Sequence, residues 1–187
     1  MKLICGLDEA GRGPLAGPVT AGCVILSDDF PVELLNDSKK LSEKKRFELE
    51  PLIKSKALAW GVASVDHTVI DKINILQASM LAMQKAFANM MLKFAAHGQQ
   101  IFAIVDGNKV PELPVECIAK VKADATEPSV MAASILAKTE RDRIMIDYDK
   151  IYPEYQYAKH KGYPTKEHRE ICYKIGPSPI QRLTFKY

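Results

Sequence analysis

The sequence has few cysteines and no long apolar run. Its four cysteines, at positions 5, 23, 117 and 172, are scattered among 187 residues without a C-x-x-C pair. A chain of this length can form a core without disulfides, so reduced thiols in a cytosolic protein are the simplest interpretation. No stretch approaches the roughly 18 apolar residues of a membrane span, and the first apolar run is too short for a signal peptide. We therefore expect a cytoplasmic protein that is neither exported nor inserted in a membrane.

The sequence also lacks the motifs of several common enzyme classes. It contains no G-x-x-x-x-G-K-[ST], no G-x-S-x-G and no H-E-x-x-H, which excludes P-loop, nucleophile-elbow and zincin enzymes. Glycines at 11, 13 and 17 have the spacing G-x-G-x-x-x-G, and Pro14 interrupts them, which argues against a dinucleotide-binding loop. His160 and His168 are expected to belong to a basic surface rather than to a metal site.

What the chain does have is the composition of an ordinary globular protein, 47% hydrophobic and 26% charged. The formal net charge of +3 is too small to imply a polyanionic partner by itself. It is unevenly distributed, however. Residues 150–187 carry 8 basic and 3 acidic side chains, against 18 and 20 in residues 1–149. We expect a main domain over 1–149 and a basic helical appendage over 150–187 that contributes to substrate binding.

Apolar periodicity and capping residues predict alternating strands and helices. Ser42 caps a first helix, an apolar stripe with spacings of three and four marks a second over 75–96, and Pro128 begins a third that runs to about residue 149. Thr165 caps a last helix that ends near residue 175. The predicted strands cover residues 3–7, 19–26, 57–65, 101–105 and 117–123. This order predicts an α/β fold, a mixed five-stranded sheet flanked by helices.

Acidic residues follow three of the five predicted strands. Asp8 and Glu9 follow the first, Asp106 the fourth and Asp124 the fifth. Carboxylates near a core lose hydration, and several together repel one another unless a cation lies between them. Oxygen ligands without a Cys or His cluster favour Mg²⁺ or Mn²⁺ over zinc. Each acid taken singly is typical of a cap or turn, but the recurrence predicts a divalent-metal site.

The sequence leaves the role of two basic segments open. Residues 159–165, KHKGYPT, combine cations with an aromatic ring, which suits either phosphate contact and stacking or a solvated loop with Tyr163 packed on the body. Lys39 and Lys40 follow a turn-forming sequence and are compatible with a solvated turn or a phosphate clamp.

Six segments occur in a recognisable order: GLDEAGRGP at 6–14, NDSKKLS at 36–42, VDGN at 105–108, KAD at 122–124, AASILAK at 132–138 and HKGY at 160–163. Together they closely resemble the bacterial ribonuclease HII family, the type 2 ribonucleases H. The resemblance spans nearly the whole chain, and the first segment is highly specific. The closing segment departs from the family pattern, with Gln181 where His is frequent and Leu183 where Arg is frequent, so the resemblance does not extend to contacts of these two residues with nucleic acid.

The resemblance implies a ribonuclease H-like fold whose catalytic and metal-binding residues are Asp8, Glu9, Asp106 and Asp124, with two Mn²⁺ or Mg²⁺ ions. Adjacent residues on a regular strand point to opposite faces, so a kink is expected to let Glu9 join Asp8. The resemblance further implies that the loop of Gly11, Arg12 and Gly13 recognises the ribose 2′-hydroxyl and that Tyr163 stacks on the neighbouring deoxyribose. Candidate phosphate contacts are Arg12, Lys39, Lys40, Lys161 and Arg169.

The implied activity is hydrolysis of the RNA strand of RNA–DNA hybrids and cleavage on the 5′ side of ribonucleotides embedded in duplex DNA. Such cleavage leaves 3′-hydroxyl and 5′-phosphate ends and serves DNA repair and primer processing in DNA replication. A monomer is the default expectation. Two alternatives stay open on the sequence alone: a non-catalytic nucleic-acid-binding module, and another carboxylate-metal nuclease of the same fold, such as a junction resolvase.

Overall fold

A computed structural model describes residues 2–36, 38, 40–94 and 98–186. Its centre is a five-stranded sheet in the order β3-β2-β1-β4-β5. The strands β1, β2 and β3 pair antiparallel, whereas β1–β4 and β4–β5 pair parallel, so the sheet is mixed as predicted. The bounds are Lys2–Ala10 for β1, Val19–Leu26 for β2, Ala57–Val65 for β3, Gln100–Asp106 for β4 and Glu116–Lys120 for β5.

Five α-helices lie among the described residues, and the sequence predicted four of them. Ser42 and Thr165 cap the first and last, each accepting the backbone N–H three residues ahead, as expected. The bounds are Glu43–Lys56 for α1, His67–Met91 for α2, Pro128–Ile151 for α3, Tyr157–His160 for α4 and Lys166–Ile175 for α5. No helix in this described part is both long enough and apolar enough to cross a membrane.

Helix α2 begins earlier than the apolar stripe indicated. The stripe predicted a start at residue 75, and the chain does break there, because Asn74 has a non-helical backbone at φ 66°. The Asn74 side chain caps the longer, second part of the helix by accepting the amides of Leu76 and Gln77. The turns from His67 to this break were missed, since they lack the stripe. Beyond Met91 the predicted end at residue 96 falls among residues 95–97, outside the described part.

Strand β5 ends three residues before the prediction. The alternation of Ala119, Val121 and Ala123 suggested a strand to residue 123, but Val121 is exposed and Lys122 has a left-handed backbone at φ 60°. That conformation ends the strand and leads into a 3₁₀ turn, Ala123–Ala125. Asp124 therefore lies on this turn and not directly at a strand end.

The apolar core fills both faces of the sheet. On one face the predicted stripe of α2, including Met83, Phe87 and Met90, packs against alternate residues of β1, β2 and β3. On the other face α1 and α3 enclose a second cluster around Val24 and Ile53. This arrangement confirms an α/β fold with helices on both sides of the sheet.

Helix α3 lies unusually close to the sheet because two strand residues have no side chain. A Cβ on Gly6 would lie 2.2 Å from the Ser129 carbonyl carbon, and one on Gly22 would lie 2.3 Å from the Ala133 carbonyl oxygen. Only glycine allows this approach at the two positions. As a result the first turns of α3 are held against β1 and β2, beside the carboxyl end of β1.

The tail packs on the body through a small apolar cluster of its own. Tyr155, Tyr157 and Ile180 bury themselves against Ala16 and against Met145 of α3. Helix α3 continues to Ile151, two residues past the predicted boundary between main domain and tail at residue 149. This division into two parts remains a prediction.

Candidate functional site

Three aspartates meet at one end of the sheet. Asp106 is the last residue of β4, which pairs parallel with β1, so that it lies beside Asp8 at the same edge. Asp124 reaches this edge from the 3₁₀ turn, where its backbone N–H donates to Asp106 Oδ1 at 3.4 Å. Each of the three offers a carboxylate oxygen, and these oxygens lie within 4.8 Å of one another.

The electrostatics of this cluster favour a cation. Asp8 and Asp124 are each only 5% exposed. Burial raises the pKa of the Asp8 carboxyl well above its usual range, and the nearby charges of Glu9 and Asp106 raise it further. Hydrogen bonds from the Ser134 hydroxyl and from the Glu9 backbone N–H oppose this shift. A cluster of buried carboxylate oxygens is the donor set that suits Mg²⁺ or Mn²⁺.

Glu9 lies in the cleft wall rather than in the three-oxygen cluster. The pairing of β1 with β2 runs in unbroken register from Cys5 to Ala10, so the expected kink is not present in this strand. Glu9 Oε1 instead accepts from Arg12 Nη1 at 3.3 Å, and its side chain is 11% exposed. A regular strand points it away from Asp8, as its pleat dictates.

The cluster opens into a cleft of about 250 Å³. The predicted residues that line it are Asp8, Glu9, Gly11, Arg12, Gly13, Asp106 and Tyr163. Four further residues line it that were not predicted as site residues, namely Ala10, Ser38, Ser134 and Lys138.

Ser134 and Lys138 lie one turn apart on the face of α3 that the strand glycines bring close. The Ser134 hydroxyl is 2.6 Å from that of Ser38, and the Lys138 amine donates to Asp142 at 2.6 Å. Burial lowers the pKa of the Lys138 amine. The sequence did contain a pattern that indicates them, since two polar residues four apart interrupt an otherwise small and apolar helix segment.

The two site glycines differ in what requires them. Gly11 has φ +96°, and a Cβ there would lie 2.0 Å from Arg141 Nε. At Gly13 a Cβ would have no atom within 4 Å, and the backbone is not left-handed. The fold therefore requires glycine at position 11. At position 13, which lines the cleft, it leaves room for a side chain.

Tyr163 lies at the rim of the cleft, and the rings of two histidines bond to the backbone of Gly162 and Tyr163. Its ring is 36% exposed and lies 5.4 Å from the Lys138 amine. His168 Nδ1 donates to the Tyr163 carbonyl at 3.0 Å, and His160 Nδ1 accepts from the Gly162 N–H at 3.1 Å. Both histidines are buried, so the expectation that they belong to a basic surface is wrong. The apolar pocket around Tyr157 encloses them.

Of the remaining predicted phosphate contacts, the three that belong to the described part of the chain, Lys40, Lys161 and Arg169, do not line the cleft. Lys40 and Arg169 are exposed elsewhere, and Lys39 lies outside the described residues. Lys161 is nearly buried, where its amine donates to the Ala158 carbonyl and pairs with Glu43 at 3.4 Å.

Comparisons of sequence and of structure both match this chain to ribonucleases HII. Curated relatives include the ribonuclease HII of Idiomarina loihiensis, 54% identical over 183 residues that cover 98% of this chain and 95% of the relative. That of Dechloromonas aromatica is 51% identical over 183 residues, covering 98% and 90%.

Solved structures of ribonucleases H of type 2 have the same fold as this chain. A ribonuclease HII of Archaeoglobus fulgidus, determined in a complex with PCNA, matches with a TM-score of 0.78 at 26% identity, covering 99% of this chain and 96% of that one. The ribonuclease H2 of Pyrococcus horikoshii OT3 matches with a TM-score of 0.73, also at 26% identity, covering 98% and 94%. The family model described as ribonuclease HII matches residues 5–187. The chain therefore belongs to the ribonuclease HII family of metal-dependent ribonucleases H.

Proposed function

We propose that Asp8, Glu9, Asp106 and Asp124 are the catalytic residues of this ribonuclease H, acting on a ribonucleotide whose sugar lies against the 11–13 loop. The observation that carries the proposal is the meeting of three buried or half-buried aspartates beside an open glycine loop in one cleft. Cleavage occurs on the 5′ side of the ribonucleotide and leaves 3′-hydroxyl and 5′-phosphate ends.

The aspartates would hold Mg²⁺ or Mn²⁺, with Asp8 as the central ligand and Glu9 contributing from the wall. When bound, such ions act as Lewis acids that activate water and stabilise the leaving oxygen. Burial of Asp8 keeps its carboxylate poorly hydrated and so strengthens its attraction for a cation. Ser134 holds the Asp8 side chain through a hydrogen bond and thereby fixes its orientation.

Recognition of the substrate depends on the sugar and not on the base. A hybrid duplex displays 2′-hydroxyls in a wide, shallow minor groove, which gives a mark that is independent of sequence. The space at Gly13 supports close approach of a sugar to the backbone, and the half-exposed ring of Tyr163 supports stacking on the next deoxyribose. Arg12 and Lys138 are the cations in the cleft lining, which suits them to phosphate contact.

This activity assigns the enzyme to the removal of ribonucleotides from DNA and to primer processing. The family acts on RNA–DNA hybrids. Duplex DNA that contains ribonucleotides is the further substrate we propose, with the basic 150–187 tail contributing to its binding. That the enzyme works as a monomer in the cytoplasm stays a prediction of the sequence.

Asparagine substitutions test the site. Asp106→Asn and Asp124→Asn should each lower cleavage of a duplex with one ribonucleotide by about 100-fold or more, while binding of that duplex is retained. Asp147→Asn, an exposed acid of α3, is the matched control and should cleave normally. Unchanged metal-dependent cleavage by either site variant would overturn the assignment.

A paired substrate assay separates the remaining alternatives. The wild-type enzyme should cut the duplex with one ribonucleotide and leave an all-DNA four-way junction intact. Cleavage of the junction alone would instead support a resolvase, and binding without cleavage of either would support a non-catalytic module.

A further inference from the structure

Arg182 is a fully buried arginine in the C-terminal segment, far along the chain from the cleft. Its side chain has no exposed surface, although the next residue, Leu183, is open to solvent. No sequence motif indicates a role for it. Its position beyond α5 places it against the back of the glycine loop that lines the cleft.

The guanidinium donates from all three nitrogens to backbone carbonyls of this one loop. Arginine has five N–H donors in a planar fork, and five carbonyls lie within hydrogen-bonding distance. The acceptors are the carbonyls of Gly17 for Nε at 2.9 Å, of Arg12 and Pro14 for Nη1 at 3.0 and 2.9 Å, and of Gly11 and Pro18 for Nη2 at 2.6 and 3.0 Å.

The loop needs this cation because its own sequence offers few internal hydrogen bonds. Pro14 and Pro18 have no N–H to donate, and the loop forms neither helix nor strand over most of its length. The tail also pairs directly with the loop, through Arg182 N–H to the Leu15 carbonyl at 2.8 Å and Gly17 N–H to the Ile180 carbonyl at 2.9 Å. The tail thus determines where the carbonyls of Gly11 and Arg12 point.

A second buried arginine supports the same loop from a different direction. Arg141 of α3 donates to the carbonyls of Ala16 and Pro18 and to that of Lys161. Its hydrogen bonds to the loop begin only at residue 16, so the carbonyls of Gly11 and Arg12 receive donors from Arg182 and not from Arg141. Both arginines therefore hold the end of the loop at Pro18, but only Arg182 also holds the carbonyls at its start.

We propose that Arg182 is a positioning residue for substrate recognition: by holding the carbonyls of Gly11 and Arg12, it sets the backbone geometry that distinguishes a ribose from a deoxyribose. The inference rests on the proposed role of the 11–13 loop. Removing the fork leaves the loop carbonyls of a buried region without donors, so the loop relaxes and its fit to the 2′-hydroxyl is lost.

The test compares two duplexes, identical except that one contains a single ribonucleotide. Binding is measured with Ca²⁺ to prevent cleavage, and Mn²⁺ binding is measured by calorimetry. Arg182→Lys supplies a point charge but no fork. The Arg182→Lys variant should raise the Kd for the ribonucleotide duplex by at least about tenfold. The reason is that a site whose hydrogen-bonding groups are mispositioned no longer favours the duplex with the 2′-hydroxyl over the all-DNA duplex. The Kd for the all-DNA duplex and the affinity for Mn²⁺ should stay the same.

Thr184→Val is the matched control for loss of tail anchoring. The Thr184 hydroxyl bonds to Asp71 at 2.5 Å and holds the same segment without touching the loop. This variant should keep the ratio of the two Kd values within about twofold of wild type even where its melting temperature falls.

Chemical rescue distinguishes positioning from general stability. In Arg182→Ala, millimolar guanidinium chloride should restore discrimination by occupying the vacated space, whereas methylammonium chloride should not. If this variant does not fold, Arg182→Lys carries the test. Equal weakening for both duplexes, or a parallel loss of Mn²⁺ binding, would overturn the proposal. A wild-type enzyme that binds the two duplexes equally would overturn the role of the loop itself.

Discussion

His160 and His168 stack in the interior of the tail, with ring centroids 4.3 Å apart and planes inclined by 15°. The hydrogen bonds of His160 fit a neutral ring, because it donates from Nε2 to the Tyr155 carbonyl and accepts at Nδ1 from the Gly162 N–H. Burial and, to a smaller extent, the neighbouring ring of His168 together lower the pKa of His160 to about 4. Burial also lowers the pKa of His168. The carboxylates of Glu167 and Asp149 oppose the shift at His160.

The pair predicts a fall in stability on mild acidification. The unfolded chain takes up protons near pH 6.5 whereas folded His160 resists them until about pH 4, so the stabilisation present above pH 6.5 is lost as the pH falls through this window. Each unmatched proton contributes a slope of up to about 1.4 kcal/mol per pH unit. Urea unfolding at several pH values between 7 and 4 measures this slope of the free energy of unfolding against pH. His160→Gln should reduce the slope, and His67→Gln, at the start of α2, should leave it unchanged. A slope that survives His160→Gln in full would contradict the assignment.

The two glycines of the cleft loop should respond differently to alanine. Gly11→Ala places a Cβ against Arg141 and forces an unfavourable backbone, so the free energy of unfolding should fall by about 1 to 3 kcal/mol. Gly13→Ala meets no protein atom and should leave the melting temperature unchanged, yet raise KM for a duplex with one ribonucleotide. Thermal denaturation and steady-state kinetics on both variants measure these effects. Normal kinetics for Gly13→Ala would show that no substrate atom occupies this space.

Lys138 should contribute one phosphate contact. Lys138→Gln is expected to reduce the slope of log K against log salt by about 0.9, the value for one phosphate neutralised on a duplex. Lys150→Gln, at the far end of the same helix and paired with Asp147, is the control and should keep the wild-type slope. Binding titrations at several salt concentrations measure both. An equal slope for Lys138→Gln and wild type would exclude the contact.

The parts of the site that lie on regular elements were predictable from the sequence. Asp8 and Asp106 follow apolar strands that had to pair in one sheet, and their meeting follows from parallel pairing of β1 and β4. The sequence indicated that Asp124 would lie near the other two aspartates, as it does, but placed it at a strand end rather than on a 3₁₀ turn. Alternation alone gives no indication that Lys122 adopts a left-handed backbone, which depends on how the turn packs.

Arg182 shows what local pattern cannot predict. Its acceptors lie more than 160 residues earlier in the chain, and they are carbonyls, which every residue possesses. No side-chain pattern near Arg182 marks such contacts. The burial of His160 and His168 escaped prediction for a related reason, because their partners are backbone atoms of a turn.

Asp8→Asn should stabilise the metal-free protein while abolishing cleavage. The raised pKa of Asp8 means that its charge is unfavourable in the folded state at neutral pH, through burial and through repulsion by Glu9 and Asp106. Asparagine removes that charge at nearly the same volume, so the metal-free variant should gain about 1 to 3 kcal/mol in the free energy of unfolding. Excess Mn²⁺ should reverse the order, because ligand binding stabilises the wild type but not a variant that has lost a metal ligand. Thermal denaturation of both proteins in EDTA and in Mn²⁺ measures the crossover. A variant that is less stable than wild type in EDTA would show that the cluster is held together by contacts of its own rather than strained by charge.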